Sequence, residues 1–355
     1  MNKIKILMHT QPNKTSYNAQ DLNGREIACR LNKDTFDIYF INTLNEPIDE
    51  KLVSTNIYIL NACSKYKTIR EILKLKYKLF HKYHISFYVR VFKSDSLFLK
   101  LKKLFRLQRI TIHMVENMLP YPNASKEYQT NAKYNALNSD LTFPISKKVA
   151  ETIKHEYHRD MHNIMHVGVD TSIFKPNINK NNQPLRVVCC GTFQQRKQPD
   201  LFADIAKEFC NTNFYWVGEG PLKNNIQKRI ENESINNLNL LDNMSHNELS
   251  QFLSNCDIFL FTSIHEGFPK VLIEAMASGL PVIVFNTYGP EAVVDNETGF
   301  IVSDVAMMKE KLNKLIVDSM LRKEMSLKAI ERAREFDWNF IAKQWEQIII
   351  KSVKK

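Results

Sequence analysis

The chain has 355 residues, 44% of them hydrophobic and 25% charged. That suffices for about two domains with cores of their own and excludes a disordered or fibrous polymer. The formal net charge is +11, but residues 65–109 hold 14 of the Lys and Arg and only Glu71 and Asp95 as acids. The chain is therefore near neutral apart from one basic block, which argues against general nucleic-acid binding. No window approaches the roughly 18 apolar residues of a membrane span. A signal peptide needs roughly 7–15 apolar residues near its start, and Met1–His9 offers only a short run. The six cysteines form no Cys-x-x-Cys pair and read as reduced core residues rather than a disulfide or zinc framework. The expectation is a cytoplasmic protein whose membrane contact would be peripheral, at the inner face of the cell membrane.

In chain order, short apolar runs predict strands at Ile4–Met8, Phe36–Ile41, Ile57–Leu60, Ile85–Val91 and Ile110–His113. A second set follows at Leu185–Cys190, Phe214–Val217, Ile258–Phe261 and Pro281–Phe285. Helical patterns lie between them at Ile69–Phe80, Ser94–Gln108, Asp200–Cys210 and Asn247–Ser254. Alternating strands and helices imply parallel sheets covered on both faces. An Asn-, Lys- and Pro-rich stretch across 168–182 reads as an interdomain linker. The expected division is 1–167, the linker 168–182, 183–335, and a terminal helical segment 336–355. Ligands of such sheets bind at the carboxyl ends of the strands, so strand-to-helix loops carry the chemistry.

One such loop stands out. Ile258-Phe259-Leu260-Phe261 is a buried strand, Thr262–Phe268 a loop, and Pro269 suits the first turn of a helix through Lys270–Ser278. Gly279 caps that helix and Pro281 opens the next strand. The amides of Gly267, Phe268 and Lys270, with the positive helix end, suit a diphosphate. Glu266 and Glu274 frame the anion position, Glu274 about 7–8 Å along the helix from Pro269. That distance keeps Glu274 from competing for phosphate and fits it to a ribose diol, whereas Glu266 is placed for sugar hydroxyls.

These motifs together resemble glycosyltransferase family 4, retaining nucleotide-sugar transferases with the GT-B fold. The likeness rests on Ser263-x-x-Glu266-Gly267-Phe268-Pro269 continuing to Glu274-Ala275-Met276-Ala277-Ser278-Gly279-Leu280-Pro281-Val282. It is joined by Gly191–Asp200, Val217-Gly218-Glu219-Gly220-Pro221, Gly289-Pro290-Glu291, Asn296–Phe300, and His166–Pro176. Phe336-Asp337-Trp338 resembles the start of the family's last helix, which packs back on the first domain. The resemblance implies an α/β protein of two Rossmann-like domains whose parallel sheets face across a cleft, with a hinge that closes over the donor.

The family's roles transfer position by position. Lys197 is implied as the diphosphate-neutralising lysine, Gly191 as part of its loop, Glu274 as the ribose carboxylate and Glu266 as the sugar contact. The family's arginine falls on Thr192, which leaves Arg196 as candidate for the second positive charge. Asn243 and Met244 resemble the base-edge loop. His113 resembles the strand-end histidine facing the sugar, and Glu116 follows it. The family's Gly-Gly loop after the first strand is missing, with Gly24 its one possible remnant on the acceptor side. No Asp-x-Asp motif occurs, so no metal and no cofactor are expected; the nucleotide-sugar is a substrate.

The basic block follows helical spacing, with Leu97, Phe98, Leu101, Leu104 and Phe105 as one stripe. Its lysines suit an anionic membrane surface or lipid-linked acceptor, a polyanionic glycan, or simple solvation. The expected function is retaining transfer of a hexose or N-acetylhexosamine from a nucleotide-diphospho-sugar, with UDP-sugar as the expected donor. The acceptor would be a surface-polysaccharide, lipid-linked or polyanionic glycan. The alternative is a non-enzymatic binder of membranes or polyanions on the same scaffold; no nucleic-acid motif is present.

Overall fold

The structure is a computed structural model that describes residues 3–15, 18–44, 46–61, 83–90, 93–116, 124–180 and 184–354. The chain divides into two compact units, 1–167 with 338–355, and 168–337.

The first unit holds a six-stranded parallel sheet of order β3-β2-β1-β4-β5-β6. Its strands are β1 (Ile4–His9), β2 (Phe36–Asn42), β3 (Ile57–Asn61), β4 (Ile85–Tyr88), β5 (Ile110–Val115) and β6 (Leu141–Pro144). Each expected run formed because a parallel strand covered on both faces needs nearly continuous apolar sequence. Ile6, Phe36, Ile38, Phe40, Ile85, Phe87 and Ile112 are fully buried. The terminal helix Trp338–Val353 belongs to this unit and sets Trp345 against Phe87 at 4.7 Å and Phe143 at 5.0 Å between ring centroids.

The second unit repeats the arrangement with β7 (Arg186–Cys190), β8 (Asn213–Val217), β9 (Leu238–Leu241), β10 (Ile258–Phe261), β11 (Val282–Phe285) and β12 (Gly299–Val302). Its order is β12-β11-β10-β7-β8-β9. Read within each unit, both sheets follow the 3-2-1-4-5-6 order of doubly wound nucleotide-binding folds. Strand order reverses between β1 and β4 in one unit and between β7 and β10 in the other.

Three strands, β6, β9 and β12, went unforeseen, and all three are sheet edges. An edge strand buries less, so Leu141-Thr142-Phe143-Pro144 and Leu238-Asn239-Leu240-Leu241 lack the unbroken apolar signal. The strand expected to reach Val91 ends at Tyr88, and the helix expected to reach Gln108 ends at Leu104. The helix expected at Ile69–Phe80 lies outside the described residues.

The stretch expected as a linker from residue 168 packs into the second unit. Phe174 is buried edge-on to His246, the Ser250 hydroxyl donates to the Ile173 carbonyl at 2.6 Å, and Asn177 donates to Asn255 at 2.9 Å. Where the chain leaves this unit it pairs with where it enters, the Val169 amide donating to the Phe336 carbonyl at 2.9 Å. The second unit therefore runs to Asp337, and 168–180 is part of its body. Among the described residues no helix is long and apolar enough to cross a membrane.

Candidate functional site

The switch point of the second sheet lies between the loops that follow β7 and β10. After β7, Gly191–Gln194 leads into a 3-10 turn at Gln195–Lys197. Gln198 then adopts a left-handed φ of 52°, and Pro199 opens the next helix. Gly191 is held from behind, its carbonyl accepting from the Trp216 indole at 2.8 Å. A Cβ on Gly218 would stand 2.2 Å from that same oxygen. Only glycine allows the two loops to approach this closely.

The loop after β10 is stitched to the 3-10 turn by its backbone. The Ile264 amide donates to the Arg196 carbonyl at 3.0 Å, and the Thr262 hydroxyl donates to the Lys197 carbonyl at 2.7 Å. Three donors then converge on one oxygen, Glu266 Oε1: Lys197 Nζ at 2.5 Å, Arg196 Nη1 at 2.7 Å and the Ser263 hydroxyl at 2.5 Å. Arg196 also donates to the His265 carbonyl at 3.0 Å. Lys197 is buried, with its ammonium 4.6 Å from the centroid of the Phe261 ring.

Burial alone would push the Glu266 carboxyl up. The ammonium of Lys197, the guanidinium of Arg196 and the hydrogen bonds from Lys197 and Ser263 outweigh it and hold the group below the usual carboxylate range. Glu266 is therefore ionised at neutral pH within a cluster of two cations and one anion. Ser263 is a partner that sequence reasoning passed over; its place three residues before Glu266 was the available signal.

The next helix spans Lys270–Ala277, so Pro269 stands one position earlier than expected, as its N-cap. There is no side-chain cap at this end, which leaves the positive terminus beside the loop of Gly267 and Phe268. Phe268 is buried against Phe336, the ring centroids 5.5 Å apart. Glu274 lies in the second turn and is 5% exposed. No hydrogen bond or ion pair reaches its carboxylate from the described residues. The two glutamates thus have opposite surroundings: Glu266 takes three donors on Oε1, and Glu274 takes none from the described residues.

Thr192 is exposed on the outer turn of the β7 loop and makes no contact with Glu266 among the described residues, whereas Arg196 does. Asn243 and Met244 line a shallow pocket of about 490 Å³ with Leu241, Asp242, Glu248, Gln251 and Phe252.

In the first unit His113 does not end its strand. It sits inside β5, which runs to Val115, and is 2% exposed. Burial pushes its imidazole down to about 4, against smaller opposing effects of the Asn135 backbone and Asp95. Glu116 directly follows β5 and is buried. Gly24 lies within the helix Ala19–Ala28, where a Cβ would stand 2.5 Å from Thr10 Cγ2; it is a close-packing position rather than part of a loop. The first unit's switch point instead holds a buried histidine–aspartate contact and an arginine–aspartate ion pair that the sequence reading did not pick out. His9 Nδ1 lies 2.8 Å from Asp95 Oδ1, and Asp21 takes Arg90 at 2.6 Å and the Gln11 amide at 2.9 Å.

The described part of the basic block is the helix Lys93–Leu104 and the turn after it. Of the expected apolar stripe, Phe98 is buried, but Leu97, Leu104 and Phe105 face outward at 38%, 71% and 64% exposure. For Leu104 and Phe105 the reason is that the helix stops at Leu104 and Arg106 turns the chain with a left-handed φ of 49°. Lys102 is drawn off to Asp140, and Lys100 lies over the Tyr134 ring. Lys65–Lys82 lie outside the described residues.

Comparison with known proteins places this geometry. Residues 170–336 match the family model of glycosyl transferases group 1. An uncharacterized glycosyltransferase of Methanocaldococcus jannaschii is 29% identical over 58% of this chain and 58% of its own length. The UDP-Gal:alpha-D-GlcNAc-diphosphoundecaprenol alpha-1,3-galactosyltransferase of Escherichia coli is 30% identical over 38% of this chain and 39% of its own length. These alignments span about four to six tenths of the curated relatives' lengths. Among solved structures, Anabaena HepE in complex with UDP superposes with a TM-score of 0.79 over 99% of this chain and 100% of its own, at 15% identity. A glycosyltransferase of Rickettsia africae gives 0.77 over the whole of both chains at 19% identity. The fold is that of the GT-B glycosyltransferases, and the second unit matches the glycosyl transferases group 1 family over nearly its full length.

Proposed function

We propose that the protein is a retaining glycosyltransferase that moves a hexose or N-acetylhexosamine from a nucleotide-diphospho-sugar, with a UDP-sugar as donor. One observation carries this reading. Lys197 and Arg196 converge on Glu266 in the loop that leads into a helix with no side-chain cap, and Glu274, which no hydrogen bond or ion pair reaches from the described residues, stands one helical turn further on. Departure of a nucleoside diphosphate builds negative charge on its phosphates. Cations already fixed by the backbone stabilise that charge without reorganising. The charge is met by these side chains, so the reading requires no metal.

Glu274 accepts the ribose hydroxyls, and Gly267, Phe268 and Lys270 carry the loop amides to the phosphates. Asn243 and Met244 flank the base. Glu266 is read as a sugar contact, and retention follows attack on the same face that the diphosphate leaves. Support for the UDP-sugar and for a lipid-linked acceptor comes from the relatives' own names, the diphosphoundecaprenol substrate of the E. coli enzyme and the UDP complex of HepE.

The outward face of the helix Lys93–Leu104 and its turn is read as the contact with an anionic membrane. Exposed Leu104 and Phe105 stand between Lys103 and Arg106. Apolar side chains flanked by cations suit the boundary between headgroups and acyl chains.

The deciding experiment incubates purified protein with UDP-, GDP- and ADP-sugars and follows nucleotide release and product anomer by NMR. Turnover of a UDP-sugar with an α product is expected. Neither binding nor turnover of any nucleotide-sugar overturns the assignment.

A further inference from the structure

Glu266 does more to this loop than present a hydroxyl acceptor. Its Oε1 is the single atom on which Lys197, Arg196 and Ser263 meet. Those cations are the ones a diphosphate would use. Lys197 has 8% of its side chain exposed and Glu266 has 10%, so water screens their attraction little. The backbones of the two loops are bonded to each other at Arg196 and Lys197. The backbone segments that carry both cations are therefore tied to the loop of Glu266, and the competition is placed on the Glu266 side chain.

We propose that Glu266 is an internal competitor for the donor's phosphates and thereby sets a charge threshold for binding. This rests on reading the loop as the donor site. A diphosphate carries enough charge, on enough oxygens, to take both cations from one carboxylate. A monophosphate offers less and displaces Glu266 poorly. Released from the cations, the same carboxylate is free to accept hydroxyls of the transferred sugar, so phosphate binding and sugar contact are coupled through one side chain. Glu274 takes no part, having no cation to release.

The test is calorimetric titration of the full chain with UDP, UMP and, as a base-independent probe, inorganic pyrophosphate. Glu266→Gln keeps the shape and removes the charge. It is expected to bind UDP and pyrophosphate about tenfold more tightly than the wild type and to narrow the preference for UDP over UMP. Ser263→Ala, which loosens the carboxylate's hold, is expected to move affinity the same way by about threefold and serves if the first variant folds poorly. The gain should vanish in Lys197→Met/Glu266→Gln. Unchanged or weaker binding by the Gln variant, with wild type binding UDP, overturns the competition alone. A wild type that binds neither UDP nor pyrophosphate overturns the donor-site reading with it.

Discussion

Lys197 Nζ lies 2.5 Å from Glu266 Oε1 although the two residues stand on different loops, each following a different strand of one sheet. This pair is the electrostatic centre of the second unit's switch point.

Replacing the ammonium tests that centre first. Lys197→Met removes the buried cation to which the proposed mechanism gives the developing charge. It is expected to lower kcat/KM for the donor by about 100-fold, the size of effect seen when a preorganised charge stabiliser is lost. Initial rates at limiting donor measure it, and activity within threefold of wild type excludes the role.

Glu274→Gln should separate binding from stability. Glu274 is 5% exposed and no hydrogen bond or ion pair reaches its carboxylate from the described residues, an arrangement that a nucleotide's hydroxyls would improve. The variant is expected to melt about 2–4 °C higher in the absence of nucleotide and to bind UDP about tenfold more weakly. Differential scanning calorimetry and titration read the two effects; a lower melting temperature refutes the account.

The buried His113 makes a pH prediction. Its folded-state value is pushed from 6.5 down to about 4, so between these values the unfolded chain binds a proton that the native chain does not. Stability is fully present above the unfolded value and falls as pH drops from 6.5 toward 4, by up to about 3 kcal/mol. Urea unfolding of His113→Gln should show a flatter profile across that window. An unchanged slope would mean that His113 is not buried in its neutral form.

Gly218→Ala tests the approach of the loops after β7 and β8. The added methyl would meet the Gly191 carbonyl at 2.2 Å, and the obstacle is backbone. A loss of about 1–3 kcal/mol is expected in urea unfolding, together with weaker nucleotide binding because Gly191 must shift.

The membrane reading is checked by flotation with vesicles containing phosphatidylglycerol. Wild type is expected to co-float at low salt and to lose this as ionic strength rises. Leu104→Asp/Phe105→Asp should abolish it while leaving UDP affinity intact. Absence of co-flotation by the wild type refutes the assignment of this face.

Much of the site could be read from local sequence because local rules govern it. A strand, a Gly-Phe-Pro turn and a helix set the spacing of Glu266 and Glu274, and helical rise fixes how far apart they fall. His113 was placed at a strand end because a single residue cannot announce where a strand stops: β5 continues through Met114 and Val115. Leu104 and Phe105 misled for the converse reason. Their spacing continues a helical stripe, but the helix ends beneath them and the turn at Arg106 swings them outward.

The sequence alone determined that strands alternate with helices, since parallel strands buried on both faces demand unbroken apolar runs. It also determined which loop leads through a Gly-Phe-Pro turn into a helix start, because that pattern lies within a few consecutive residues. Only the tertiary structure decided that Glu266 faces two cations 69 and 70 positions earlier in the chain. That neighbourhood depends on β10 lying beside β7 rather than beside β9, a choice made by strand order across the whole sheet. Local periodicity carries no record of that choice, and the resulting ion cluster follows from it.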